Sequence, residues 1–177
     1  MRKTLTISVI SGKSVMLAAC SAPNTDSSDI NVPIKNSLGA KIGTLMVDQI
    51  AGGGVNVQID ISGITPGSHA MHFHEFGRCD GPDFKSAGGH YNPAGVPHGN
   101  VEGGSHAGDM MNIEANANGT ATFKVTNEKV NIKGGTLPAL KDADGTALII
   151  HGGADDYTSQ PSGAAGPRVA CAVIKAG

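Results

Sequence analysis

The chain has 177 residues, enough for one domain and a leader. Charged residues make up 16% and the formal net charge is −2, so the polybasic footprint of a nucleic-acid-binding protein is missing. Aromatics are 3% and Trp is absent, which excludes a core built on large rings, whereas 26 Gly suit many short strands joined by tight turns. In chain order, residues 1–19 read as an export signal, in which Arg2 and Lys3 precede the apolar-leaning LTISVISGKSVMLAA. Lys13 interrupts that run and leaves only SVMLAA beyond it, a short apolar core for a signal.

LAAC, ending at Cys20, resembles the lipobox of bacterial lipoproteins, in which the Cys becomes the lipidated N-terminus. The alternative is an ordinary cleaved signal with Cys20 incidental. SAPNTDSSD after it is polar and aperiodic, as a tether is, and the domain organisation expected is signal 1–19, lipidation site and tether 20–36, folded domain 37–177. Export removes three cations and no acids, leaving ten Lys and Arg against fifteen Asp and Glu, a mature charge of −5. If Cys20 carries lipid, the three cysteines leave Cys79 and Cys171, which in an exported protein read as a disulfide, two separate buried thiols being the alternative.

VNVQIDI alternates, with Val55, Val57, Ile59 and Ile61 on one face, and GGG at 52–54 sets it off as a hairpin from KIGTLMVDQI. Asn118-Gly119 marks a turn before a strand that directs Ala121, Phe123 and Val125 inward. TALIIH and RVACAVI are short apolar runs of strand type, and no helical period persists, so the class is an antiparallel β-sandwich or barrel. From Glu75 to Asp109 the pattern fails in a Gly-rich stretch with three Pro and three His. A loop of that length is usually functional. With so little apolar content, a metal and a disulfide are natural substitutes for packing.

Three of the seven histidines fall in HAMHFHE, residues 69–75. In an extended segment His72 and His74 share a face, while His69 has the opposite parity. Two imidazoles on one face suit copper or zinc. His90, His98, His106 and Asp109 supply three imidazoles and a carboxylate, a closed tetrahedral set for zinc. His72, His74 and His151 offer three imidazoles to another ion.

HAMHFHEFGRC, SAGGHYNP, HGN, HAGDM, LIIHGGADDY and GAAGPRVACAVI, in this order over about residues 40 to 175, closely resemble the copper/zinc superoxide dismutases. The resemblance implies an eight-stranded Greek-key antiparallel β-sandwich, or flattened barrel, with long metal-binding loops. It implies one copper on His72, His74, His90 and His151, and one zinc on His90, His98, His106 and Asp109, with His90 as the bridge and proton relay. Arg168 matches the arginine that guides the anion, Cys79–Cys171 the intrasubunit disulfide, Asp155 a carboxylate joining His72 to His98, and His69 a structural histidine. The reaction implied is disproportionation of two superoxide ions, with two protons, to O2 and H2O2.

The substrate is an anion and the mature chain is negative, so attraction must be local, from the metals and Arg168. Lys85, Lys133 and Lys141 are candidates for further steering. The expected partners are superoxide and, through a lipid on Cys20, a membrane; nucleic acid is not among them, and monomer and homodimer both remain open. The expected location is the periplasm or cell envelope. Two other functions are weighed. A non-catalytic copper-handling module would be expected to lack part of the ligand set or to add C-x-x-C; a zinc hydrolase would need a general base, and Glu75 has the wrong parity.

Overall fold

The computed structural model describes residues 29–177; the signal at 1–19, the lipidation site Cys20 and the tether as far as Ser28 lie outside them. The strands are β1 (Ile30–Asn36), β2 (Lys41–Gln49), β3 (Val55–Ser62), β4 (Gly67–His69), β5 (Met71–His74), β6 (Ile113–Ala115), β7 (Thr120–Asn127), β8 (Thr146–His151) and β9 (Arg168–Ile174). Seven form one curled antiparallel sheet in the order β5-β8-β9-β1-β2-β3-β7, and β4 pairs with β6 beside it. Nine strands stand where eight were expected, because the histidine-bearing strand divides at Ala70. Its first half pairs with β6 and its second with β8.

The domain also begins earlier than residue 37. Ile30 and Ile34 are buried in the core, and β1 pairs with β2 from Ile30 to Lys35, so the alternating INVPIKN segment is a strand, not tether. The β2–β3 hairpin has Val57 opposite Val47 and Ile59 opposite Leu45, all four fully buried. Each contributes about 1.5–3 kcal/mol of burial. Ala121 of β7 is buried in the same core, and Phe123 and Val125 pack against it half-buried.

β8 is buried along its whole length. Leu148 and Ile150 face the main core, while Ala147 and Ile149 face a second cluster with Phe84, Ala87 and Cys171. That cluster sits under the long loop, which the Cys79–Cys171 disulfide holds down across 92 positions. In the chain-entropy account such a closure contributes at most ~4–5 kcal/mol. The only helix in the loop is a 3-10 turn, Lys85–Ala87. The other edge of β5 is satisfied by the loop: Phe73 N–H donates to Gly108 O at 2.9 Å, and Tyr91 N–H donates to Phe73 O at 2.8 Å. A side chain at Gly108 would collide with the Phe73 carbonyl, so this close approach needs glycine.

Candidate metal centre

β5 directs Met71 and Phe73 into the core and sends His72 and His74 the other way, under the loop; all four are buried. His151 ends β8, the strand beside β5, while His90 reaches in from the loop and bridges to His74. His72, His74, His90 and His151 each place one ring nitrogen within 4.8 Å of the others. His90, His98, His106 and Asp109 converge equally closely, so His90 belongs to both groups.

Hydrogen bonds decide which nitrogen of each ring is left free. His72 Nε2 donates to Asp155 Oδ2 at 2.8 Å, His74 Nδ1 to the Gly88 carbonyl at 3.0 Å, and His151 Nδ1 to the Gly166 carbonyl at 3.2 Å. The opposite nitrogens, His72 Nδ1, His74 Nε2 and His151 Nε2, are buried with no hydrogen-bond partner, and so is His90 Nε2. Buried polar atoms are almost always satisfied. Four lone pairs orphaned around one point fit a cation.

The second group has the same logic. His98 Nε2 donates to Asp155 Oδ1 at 3.0 Å, which turns the unprotonated Nδ1 toward Asp109. That Nδ1 lies 3.0 Å from Asp109 Oδ2 without a hydrogen bond, while His90 Nδ1 and His106 Nδ1 lie 3.0 and 3.2 Å from Oδ1. Backbone N–H groups of Gly99 and His106 fix the carboxylate, donating to Oδ2 at 3.1 and 3.0 Å. Three imidazole nitrogens and a carboxylate are the donor set of a closed zinc site.

Protonation favours cation binding. Burial, only partly opposed by the Asp155 hydrogen bond, lowers His72 to about 4. Burial also lowers His74 to about 2 and His151 to about 3. All three are neutral at pH 7, the form that can bind a metal. Burial pushes the Asp155 carboxyl up, but hydrogen bonds from His72, His98 and the Tyr157 N–H outweigh it and hold the group below its usual range. Asp109 is likewise held low, burial being outweighed by His90, the Gly99 N–H and the neighbouring imidazoles.

Around the ligands, Asp155 spans the two groups. A side chain at Gly163, where φ is +67°, would run into its carboxylate, so glycine lets the loop close over it. His69 stands apart from both groups: its Nδ1 and Nε2 are 2.7 Å from the carbonyls of His151 and Thr65, which leaves no nitrogen for a metal. Arg168 lines a cavity of about 450 Å³ together with His74, His90 and His151. Its guanidinium donates to the Phe84 carbonyl at 2.7 Å and to Gly88 at 2.6 Å, the carbonyl that also orients His74. Glu75 also lines that cavity, contrary to its expected parity, because β5 ends at His74; its carboxylate accepts the Gly89 N–H at 2.9 Å. Lys85, Lys133 and Lys141 do not line it.

Several supports carry no sequence signal, above all the carbonyls of Gly88, Gly166 and Phe84. Asn112 clasps the Asp155 backbone through Nδ2 to O and N–H to Oδ1, both at 2.9 Å, and Tyr157 Oη accepts the Asn112 N–H at 2.8 Å. Gln160 clasps the His98 backbone similarly, both bonds being 2.9 Å.

The family model for copper/zinc superoxide dismutase matches residues 41–174. The chain belongs to the copper/zinc superoxide dismutase family. It is 47% identical over 145 residues to superoxide dismutase [Cu-Zn] 1 of Aquifex aeolicus, covering 80% of this chain and 85% of that protein. It is 48% identical over 125 residues to the Cu-Zn enzyme of Caulobacter vibrioides, covering 69% and 72% respectively. Among solved structures, a superoxide-dismutase-like protein from Bacillus subtilis superposes with TM-score 0.78 at 36% identity, over 81% of this chain and 97% of that one. The Cu/Zn superoxide dismutase from Brucella abortus gives 0.66 at 30% identity, over 82% and 98%. The activity is superoxide disproportionation, the cofactors are copper and zinc, and the substrate is superoxide.

Proposed function

We propose that copper binds at His72 Nδ1, His74 Nε2, His90 Nε2 and His151 Nε2, and zinc at Asp109 and the Nδ1 atoms of His90, His98 and His106. For copper the observation that carries this is the set of four buried ring nitrogens without hydrogen-bond partners, each on a ring whose other nitrogen is engaged. For zinc it is the convergence of His90, His98, His106 and Asp109, with His98 Nδ1 likewise left without a partner. Copper there supplies the one-electron exchange with superoxide, which zinc cannot supply. Asp155 holds His72 and His98 in one tautomer each, so both groups keep a common geometry. Arg168 offers a fixed cation at the cavity wall and draws the superoxide anion in against the chain's negative charge. His90 Nε2 would hold a proton only while it is released from copper, and would then return that proton to the product peroxide, which keeps the proton source within the cavity.

The residues before the domain complete the reading. Residues 1–19 direct export, Cys20 carries the lipid, and residues 21–28 tether the enzyme to a membrane of the cell envelope, as a monomer or a homodimer.

Metal analysis of the purified domain tests the assignment. One copper and one zinc per chain are expected, and His90→Ala weakens retention of both. Loss of only one metal in that variant would remove His90 from its shared place. Mass measurement of the mature N-terminus tests the lipid, and a free Cys20 without acyl chains would refute it.

A further inference from the structure

Lys133 and Lys141, candidates for steering superoxide, line a different surface. β1 and β9 are paired only at Lys35–Cys171 and Asn36–Ala170, then diverge and leave a wedge between them. The wedge is a cavity of about 910 Å³, and an adjoining one of about 450 Å³ shares Asp29 and Lys141 with it. Lys35, Arg78, Lys133, Lys141 and Lys175 line this groove, with only Asp29 and Asp80 against them.

Residues 29–177 hold ten Lys and Arg and fourteen Asp and Glu. Half of the cations are therefore on this groove with two of the acids, and the rest of the domain carries five cations against twelve acids. None of the five cations forms an ion pair with another described residue; the sole Lys pair among those residues is Lys85 with Asp83. Four of the five are exposed and Lys141 is half-buried. Asp29 and Ile30, where the chain enters the domain, are part of the groove wall. Cys20 is nine residues before Asp29. Fully extended, that stretch reaches no more than ~30 Å.

The structure assigns this groove as a docking face for the anionic phospholipid surface of the membrane that holds the protein. The inference rests on the reading of Cys20 as the anchor, which brings this face within reach of headgroups. A local cationic surface on an otherwise acidic domain turns toward an anionic bilayer and repels it elsewhere. Arg168 opens β9 and Lys175 follows its end, seven residues or ~20 Å away. Docking by the groove thus turns the histidine cavity toward solvent, where superoxide arrives.

The test uses residues 20–177 with Cys20→Ser, which contain every strand and the whole core but can carry no acyl chain. Co-sedimentation is measured with vesicles of phosphatidylglycerol and of phosphatidylcholine in low salt. At least tenfold stronger partition into phosphatidylglycerol is expected, collapsing at high salt as screening shortens the field. Each groove lysine neutralised weakens binding about fivefold, the equivalent of ~1 kcal/mol. Lys133→Gln/Lys175→Gln should therefore lose about 25-fold, while Lys85→Gln/Lys124→Gln changes binding less than twofold. Equal binding to both lipids, or equal losses in the two double variants, would overturn the inference. So would the same lysine dependence on soluble polyglutamate without a preference for phosphatidylglycerol, which would make the groove a site for an acidic chain. These outcomes are independent of acylation, which the N-terminal mass decides separately.

Discussion

Replacing Asp155 by Asn should loosen both metals while leaving the fold intact. Asp155 accepts His72 Nε2–H at 2.8 Å and His98 Nε2–H at 3.0 Å through different oxygens. The amide keeps the size but has one oxygen, so one imidazole N–H would face an NH2 donor in a buried site. Each charge-assisted hydrogen bond is worth about 1.5–3 kcal/mol. A ligand that loses its orienting partner binds metal about 10- to 100-fold more weakly, or ~1.4–2.7 kcal/mol, in agreement with that figure. Competition titration of the metal-free variant with copper and zinc chelators reads the two affinities, and circular dichroism shows that the domain is folded. Because Asn satisfies one ring only, the two losses need not be equal, but their product should exceed tenfold. A product below threefold would refute the claim that Asp155 orients both ligand groups.

Arg168→Ala should keep both metals, since the guanidinium touches only carbonyls and the cavity. Its rate should fall about tenfold or more with a shallower salt dependence in pulse radiolysis, the loss expected of a local steering charge. If metal analysis instead showed copper lost, Arg168 would be a support of the site and not a guide for the anion. Cys79→Ser/Cys171→Ser should lower the melting temperature by about 10–15 °C if the full closure effect is realised. An unchanged value in calorimetry would mean that the loop is held by the histidine side alone. The metal-free domain should be acid-sensitive. His72, His74 and His151 have folded pKa values near 4, 2 and 3 against 6.5 when unfolded, so below pH 6.5 the unfolded chain takes up protons that the folded one refuses. Stability then falls with falling pH by up to about 4 kcal/mol per unit between pH 6 and 4, the slope for three sites. Urea titrations that show no such slope would contradict neutral buried imidazoles.

Strand alternation and residue chemistry made much of this legible in the sequence. The parity of HAMHFHE separated His69 from His72 and His74, and the structure agrees: His69 spends both nitrogens on carbonyls. The alternation of VNVQIDI gave its inward face directly. The polar, aperiodic SAPNTDSSD suggests a tether that reaches residue 36, yet Ile30 and Ile34 of INVPIKN alternate into the core. The break at Ala70 was not legible, because it depends on which neighbours each half of the strand meets. TALIIH and RVACAVI read as strands, but the unbroken burial of TALIIH has a cause that sequence cannot show, the loop that covers its outer face through Phe84 and Ala87. The supports of Arg168 and His74 are main-chain carbonyls, which every residue has. The lysines suggested for steering illustrate the converse, since a charge in the sequence has no address until the fold supplies one.

The central claim is that redox chemistry takes place where four buried imidazole nitrogens converge, and superoxide decay followed by pulse radiolysis tests it most directly. The protein loaded with copper and zinc should remove superoxide rapidly, and the same protein with zinc in both sites should not. Equal rates for the two preparations, or no activity with copper bound, would contradict it.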